Sequence, residues 1–205
     1  MPFAIPLVLT VLLAQAAPIL PTDARVTRDA ATGHVRQLSS VEIPLAAPDL
    51  KGLITGFFAP LRAELGFDPA ELVEESRTSW SGGTSVELRR VIDGREVVDG
   101  TVRVTLGTDG SVRAYVAGDV APVTRTASPV LDEARARVAA REVLGGLSGE
   151  GRGDLVYLGG KLAWRLRFPP APSQTPGRSP HLYAPVVFVD AVSGEVLALR
   201  NGLVR

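Results

Sequence analysis

Hydrophobic positions recur along this chain in two rhythms. Leu50, Leu53, Ile54, Phe57, Phe58, Leu61 and Leu65 repeat at intervals of three and four, which lays one apolar stripe along a helix. Asp49 stands where an N-cap is needed, and Gly66 where a left-handed residue closes a helix. Pro60 falls inside the stripe. Its ring would meet the carbonyl of Gly56, so the pattern predicts a kink there or a break into two short helices. Beyond this segment the rhythm changes to two. Val86 and Leu88 alternate with polar neighbours. Val102, Val104 and Leu106 alternate with Arg103 and Thr105, and Val112, Ala114 and Val116 continue the alternation. Such runs predict strands of a sheet with one wet face.

The two rhythms then repeat. Ser128 and Pro129 predict the N-cap and first position of a second helix, with Asp132 and Glu133 in its first turn and Arg135, Arg137 and Arg141 further on. Gly145-Gly146 ends it. Strands are predicted at Leu155–Leu158, Leu162–Phe168 and Val186–Leu199, the last folded at Ser193-Gly194. Leu162, Trp164, Leu166 and Phe168 share one face, which makes Trp164 a core residue. The proline-rich stretch 169–180 predicts a long exposed loop. Three turns share a pattern: Asp29-Ala-Ala-Thr32-Gly33, Asp190-Ala-Val-Ser193-Gly194 and the shorter Asp109-Gly110-Ser111. Asp and Ser/Thr satisfy turn backbone groups and Gly supplies positive φ, so each predicts a β-hairpin. The expected fold class is therefore α+β. It comprises two small domains, 17–123 and 128–205, joined by a linker at 124–127, each with a helix packed on an antiparallel sheet.

Composition narrows the function. The chain has 205 residues, 45% hydrophobic but only 5% aromatic, so an ordered core is expected and it must be mainly aliphatic. Basic and acidic residues balance at 22 each, which argues against a nucleic-acid partner. Residues 17–123 carry 11 basic and 15 acidic groups, and residues 124–205 carry 11 and 7. The absence of Cys removes disulfides, thiolate nucleophiles and zinc–thiolate sites. Phe3–Ala14 is an uncharged apolar run, followed by Ala14-Gln15-Ala16 with small residues placed for cleavage before Ala17. This is a signal-peptide pattern over 1–16, and it predicts a secreted, periplasmic or envelope location with no membrane attachment after cleavage. No basic residue precedes the run.

No catalytic constellation emerges. His34 and His181 are the only histidines and read as solvated polar residues; no His-Glu-x-x-His or Gly-x-Ser-x-Gly is present. Ser79, Ser81 and Ser85 beside Gly82-Gly83 read as a flexible turn, and Glu74-Glu75, Asp93 and Asp99 as surface charges near strand ends. No catalytic, metal or cofactor residue is assigned, and the chain reads as a non-enzyme. Candidate partner contacts are Trp80, set before a Ser-Gly-Gly turn, and Leu203, Val204 and Arg205 in the tail.

Residues 86–123 resemble the core of a fungalysin/thermolysin propeptide (FTP) domain. The resemblance rests on Val86-Glu-Leu-Arg-Arg-Val-Ile-Asp93-Gly94, Val97-Val98-Asp-Gly100, Val102 to Leu106, Asp109-Gly110 and Val112 to Gly118. That family often has Gln where Arg90 stands. Residues 128–199 are similar to a PepSY domain, carried by the 129–144 helix, Leu155-Val-Tyr-Leu, Leu162-Ala-Trp164-Arg-Leu and Val187-Phe-Val-Asp190-Ala-Val-Ser-Gly194-Glu-Val-Leu. Together they resemble the propeptide of a thermolysin- or fungalysin-type metallopeptidase. That resemblance implies a cystatin-like arrangement in each half and a role in inhibiting such a peptidase or assisting its folding. The implied partner is a secreted zinc metallopeptidase. The alternatives are an envelope or extracellular binding module without a protease partner, and the propeptide portion of a longer gene, since the chain stops at Arg205 where the family runs on to its catalytic domain.

Overall fold

A computed structural model describes residues 20–118, 122–123, 125, 128–145, 149, 151–172 and 182–203. The leader, His181, Val204, Arg205 and most of the expected linker lie outside these residues.

The fold is α+β. Strands β1 (Arg25–Arg28) and β2 (Val35–Ser39) form the first hairpin, and the helical segment follows. It breaks as Pro60 dictates. Helix α1 (Leu50–Leu53) passes into a wider π-turn at Ile54–Phe58, where the Ala59 amide reaches back five residues to the Ile54 carbonyl at 2.8 Å. The chain reopens and resumes as α2 (Arg62–Leu65). Asp49 caps α1 through the Gly52 amide at 2.7 Å, and Gly66 ends α2 in the left-handed region at φ 76°. After a 3₁₀ turn (Pro69–Glu71) come β3 (Leu72–Trp80), β4 (Gly83–Ile92), β5 (Arg95–Leu106) and β6 (Val112–Ala117), in the spatial order β3-β4-β5-β6-β2-β1. Leu53, Phe57, Phe58, Leu61 and Leu65 bury against Leu38, Val86, Leu88, Val102, Val104, Leu106 and Tyr115. Phe57 and Phe58 meet edge-on with centroids 5.0 Å apart, and both rings reach Tyr115. Burial of each such side chain is worth roughly 1.5–3 kcal/mol.

One phase expectation fails in β6. Thr105 pairs with Ala114 and Leu106 with Val112, so Arg113 is an extra residue in a bulge. The bulge flips the alternation: Tyr115 and Ala117 are buried, while Val116 is 48% exposed.

In the second half, helix α3 (Glu133–Val143) is followed by β7 (Arg152–Leu158) and β8 (Lys161–Arg167). The two-residue pair β9 (Ala171–Pro172) and β10 (Leu182–Tyr183) comes next. Last are β11 (Pro185–Asp190) and β12 (Val196–Asn201). The order is β7-β8-β11-β12. The helix starts later than Ser128-Pro129 predicts. The Val130 and Leu131 amides both donate to the Ala191 carbonyl, which spends that segment on the sheet. Asp132 caps instead, accepting from the Arg135 amide at 2.8 Å. Ala136 and Ala140 face Leu166, Phe168, Val187 and Val189. Trp164 is half-buried between this cluster and its neighbour, and its Nε1 donates to the Leu131 carbonyl at 2.8 Å.

The two sheets meet at β5. At Asp99 (φ 63°) and Gly100 the strand turns, and its first residues leave β6 to lie beside β7, with Val97 opposite Tyr157 in a parallel pair. Ile92 and Val97 bury with Tyr157, Leu162 and Ala191, and Val98 buries with Val156, Ala163 and Phe188.

Candidate partner-binding surface

Trp80 closes β3 opposite Gly83, with Ser81-Gly82 as the turn between them. The turn is tight and placed by its neighbours. A side chain at Gly83 would strike the Leu106 carbonyl, so only glycine lets the hairpin end lie on β5. The Ser79 and Thr84 hydroxyls share a 3.0 Å hydrogen bond across it. Trp80 itself is 49% exposed. Beside it opens a cleft of about 510 Å³ lined by Pro48, Arg77, Trp80, Leu106 and the Asp109-Gly110 turn. Arg77 is fixed there: Nε and Nη2 donate to Glu74 at 2.9 Å each and Nη1 to the Pro48 carbonyl at 2.8 Å. The Arg77 hydrogen bond holds the Glu74 carboxyl below its ordinary range. An open aromatic above a shallow, braced cleft suits contact with another polypeptide.

The tail is more anchored than its sequence implies. The Gly202 amide donates to the Ala184 carbonyl at 2.7 Å. Asn201 Oδ1 accepts from the Ala184 and Leu203 amides at 3.2 and 3.1 Å. Leu203 is 51% exposed at the end of this clasp. Val204 and Arg205 lie outside the described residues. Trp80 follows from β3 and Leu203 from β12, strands at opposite ends of the path β3-β4-β5-β7-β8-β11-β12. The structure does not bring Trp80 and Leu203 into one patch.

A further cleft went unread in the sequence. About 710 Å³ lies between α2, the 3₁₀ turn, the end of β4 and Pro122, Val123 and Arg125, with Arg90 and Glu71 in its lining. Arg90 is only 2% exposed. Its Nη2 donates to Glu71 at 2.9 Å, and its guanidinium stacks over Phe67, 5.2 Å from the ring centre. Arg125 reaches the other Glu71 oxygen at 3.3 Å, which fastens the expected linker to the first half. The signal was present: Val86, Leu88, Arg90 and Ile92 share the inward phase of β4. The buried Tyr115 hydroxyl has no hydrogen-bond partner among the described residues, and burial raises its pKa above the usual phenol range.

His34 is partly solvated, as its turn position suggests, and partly enclosed. Its ring lies where a Gly66 side chain would be, with Nδ1 buried and without a hydrogen-bond partner among the described residues. Among the described residues, no group of three His, Cys, Asp or Glu side chains is placed to hold a metal ion. No helix among them is long and apolar enough to cross a membrane.

No family model and no curated protein matches the chain. A solved structure, the Bacillus megaterium YpeB C-terminal domain, is similar to it at 12% sequence identity and a TM-score of 0.37. The match covers 87% of this chain and 75% of that one.

Proposed function

We propose that this protein is a non-catalytic, propeptide-like binder of a thermolysin- or fungalysin-type zinc peptidase, exported and acting on that enzyme as inhibitor or folding assistant. The observation that carries the reading is the sequence order: an FTP-like run at 86–123 followed by a PepSY-like run at 128–199. Support comes from the elements those runs fold into. Each half sets helical segments on one face of an antiparallel sheet, and the most specific quoted stretch, residues 187–197, forms the β11–β12 hairpin. The exposed Trp80 and Leu203 side chains offer apolar contacts that the fold itself does not use. A free propeptide needs only surface complementarity to act on a separate chain; covalent linkage raises effective concentration and nothing else.

The test is complex formation. Purified protein is mixed with a thermolysin-type peptidase held inactive by zinc chelation and run on a sizing column with light scattering. A one-to-one complex supports the reading, and two unshifted peaks at micromolar concentration contradict it. Truncation after Gly202 removes the tail while keeping the hydrogen bonds that tie Asn201 and Gly202 to Ala184. Weakened binding in that variant assigns Leu203–Arg205 to the contact, and unchanged binding moves the contact to the sheets.

A further inference from the structure

Three arginines stand in one row across the second sheet. Arg152 on β7 is opposite Arg167 on β8, Arg167 is opposite Val186 on β11, and Val186 is opposite Arg200 on β12. Adjacent strands lie about 4.8 Å apart, so the first two guanidinium stems are immediate neighbours. The row is on the face away from α3. Arg167 bonds Asp154 at 2.7 Å, and Arg200 covers the Phe188 ring at 5.2 Å. Gly153, next to Arg152, faces the other way and donates to Glu133 on the helix.

The charges on this face are matched one for one, with a single exception. Arg200 has Asp99, Arg165 has Glu96, and Arg167 has Asp154, which Arg165 also shares. Arg152 is exposed and has no ion-pair partner among the described residues. Like charges directly opposite on neighbouring strands repel, and among the described residues Asp154 answers Arg167 while no carboxylate answers Arg152. At this end of the row opens a cleft of about 450 Å³, lined by Arg152, Arg167, Phe168 and Pro169. Two guanidinium forks with one surplus charge, beside an aromatic edge and a proline, fit a single carboxylate attached to an apolar neighbour.

We propose that this end of the second sheet is a docking site for an acidic segment of a partner polypeptide. One Asp or Glu carboxylate bridges Arg152 and Arg167, and an adjoining apolar side chain rests on Pro169 and the edge of Phe168. A carboxylate is favoured over a phosphate because the surplus is one charge, whereas a phosphate group brings nearly two. The site does not depend on the partner being a peptidase.

The probe is a labelled, C-terminally amidated peptide of alternating Glu and Leu, titrated with the whole protein at low salt and followed by fluorescence anisotropy. Saturable binding is expected, weakened about tenfold or more by Arg152→Glu, and also weakened by Arg152→Ala and by added salt. Arg25→Glu, on the exposed β1, is expected to leave it unchanged. A Gln-for-Glu peptide is expected not to bind. The proposal is overturned by absence of saturable binding. Unaltered affinity in an Arg152→Glu variant that melts like the parent also overturns it, as does tighter binding of a phosphoserine-for-Glu peptide.

Discussion

Arg200 and Asp99 form a two-pronged ion pair, 2.7 and 2.5 Å, across the junction of the two sheets, although 101 residues separate them in the chain. Asp99 sits at the point where β5 turns from one sheet to the other, in a left-handed conformation that Asp tolerates better than most residues. The Arg200 hydrogen bond is the main cause that holds its carboxyl below the ordinary range, against partial burial. A depressed carboxylate stabilises the fold above its unfolded pKa of about 4 and loses that contribution as pH falls through the lower folded value. Both side chains are nearly half exposed, so the pair is worth about 1 kcal/mol or less. Asp99→Asn is therefore expected to lower the melting temperature slightly at neutral pH and not at all at strongly acid pH. Melting curves of both proteins against pH check this.

The shared clusters at β5 and β7 predict coupled unfolding of the two halves. Leu162, 2% exposed, packs with Ile92 and Val97 of the first half. Leu162→Ala is expected to cost about 2–5 kcal/mol. In a Trp80→Phe background, Trp164 fluorescence reports the second half and its packing against Ile92 and Val97, while far-UV circular dichroism reports both halves. Coincident midpoints are expected. Two well-separated transitions would restore the independent units that the sequence predicts.

Trp164 combines packing with a hydrogen bond to Leu131. Trp164→Ala is expected to destabilise by about 3–5 kcal/mol, and Trp164→Phe by less, since it loses chiefly the bond, worth about 1 kcal/mol. Denaturant titration of the three proteins checks the order.

Glu71 neutralises the buried Arg90, and Glu71→Ala leaves that cation short of its carboxylate. A loss of about 3–5 kcal/mol is expected. Adding Arg90→Gln removes the buried cation whose pairing Glu71→Ala weakens, so the double variant is expected to be more stable than Glu71→Ala alone. A double variant less stable than the single would contradict this account of the cleft.

Much of the fold was legible because its sequence signals are local. The Asp turns work as read: Asp29 Oδ1 accepts from Ala31 and Thr32, and Asp190 Oδ1 from Val192 and Ser193. Pro60 broke its helix for the stated steric reason. What was illegible depended on distant partners. Strand β3 has no apolar alternation because Ser76–Trp80 is an exposed hairpin arm. The bulge at Arg113 follows from pairing with β5, and the late start of α3 from the Ala191 carbonyl. The candidate surface was half legible. Trp80 is open as expected, but the clasp on Leu203 arises from Ala184, far away in the chain. Arg90 was visible only as an oddity until its inward phase placed it beside Glu71.

The most direct test of the proposed role is inhibition. The protein is titrated into an active thermolysin-type zinc peptidase while hydrolysis of a short peptide is followed. Trp80→Ala serves as a surface variant expected to change stability by under about 0.5 kcal/mol. The account predicts a saturable fall in rate with the parent protein and a weaker fall with Trp80→Ala. An unchanged rate, with the parent in large molar excess over the peptidase, would contradict it.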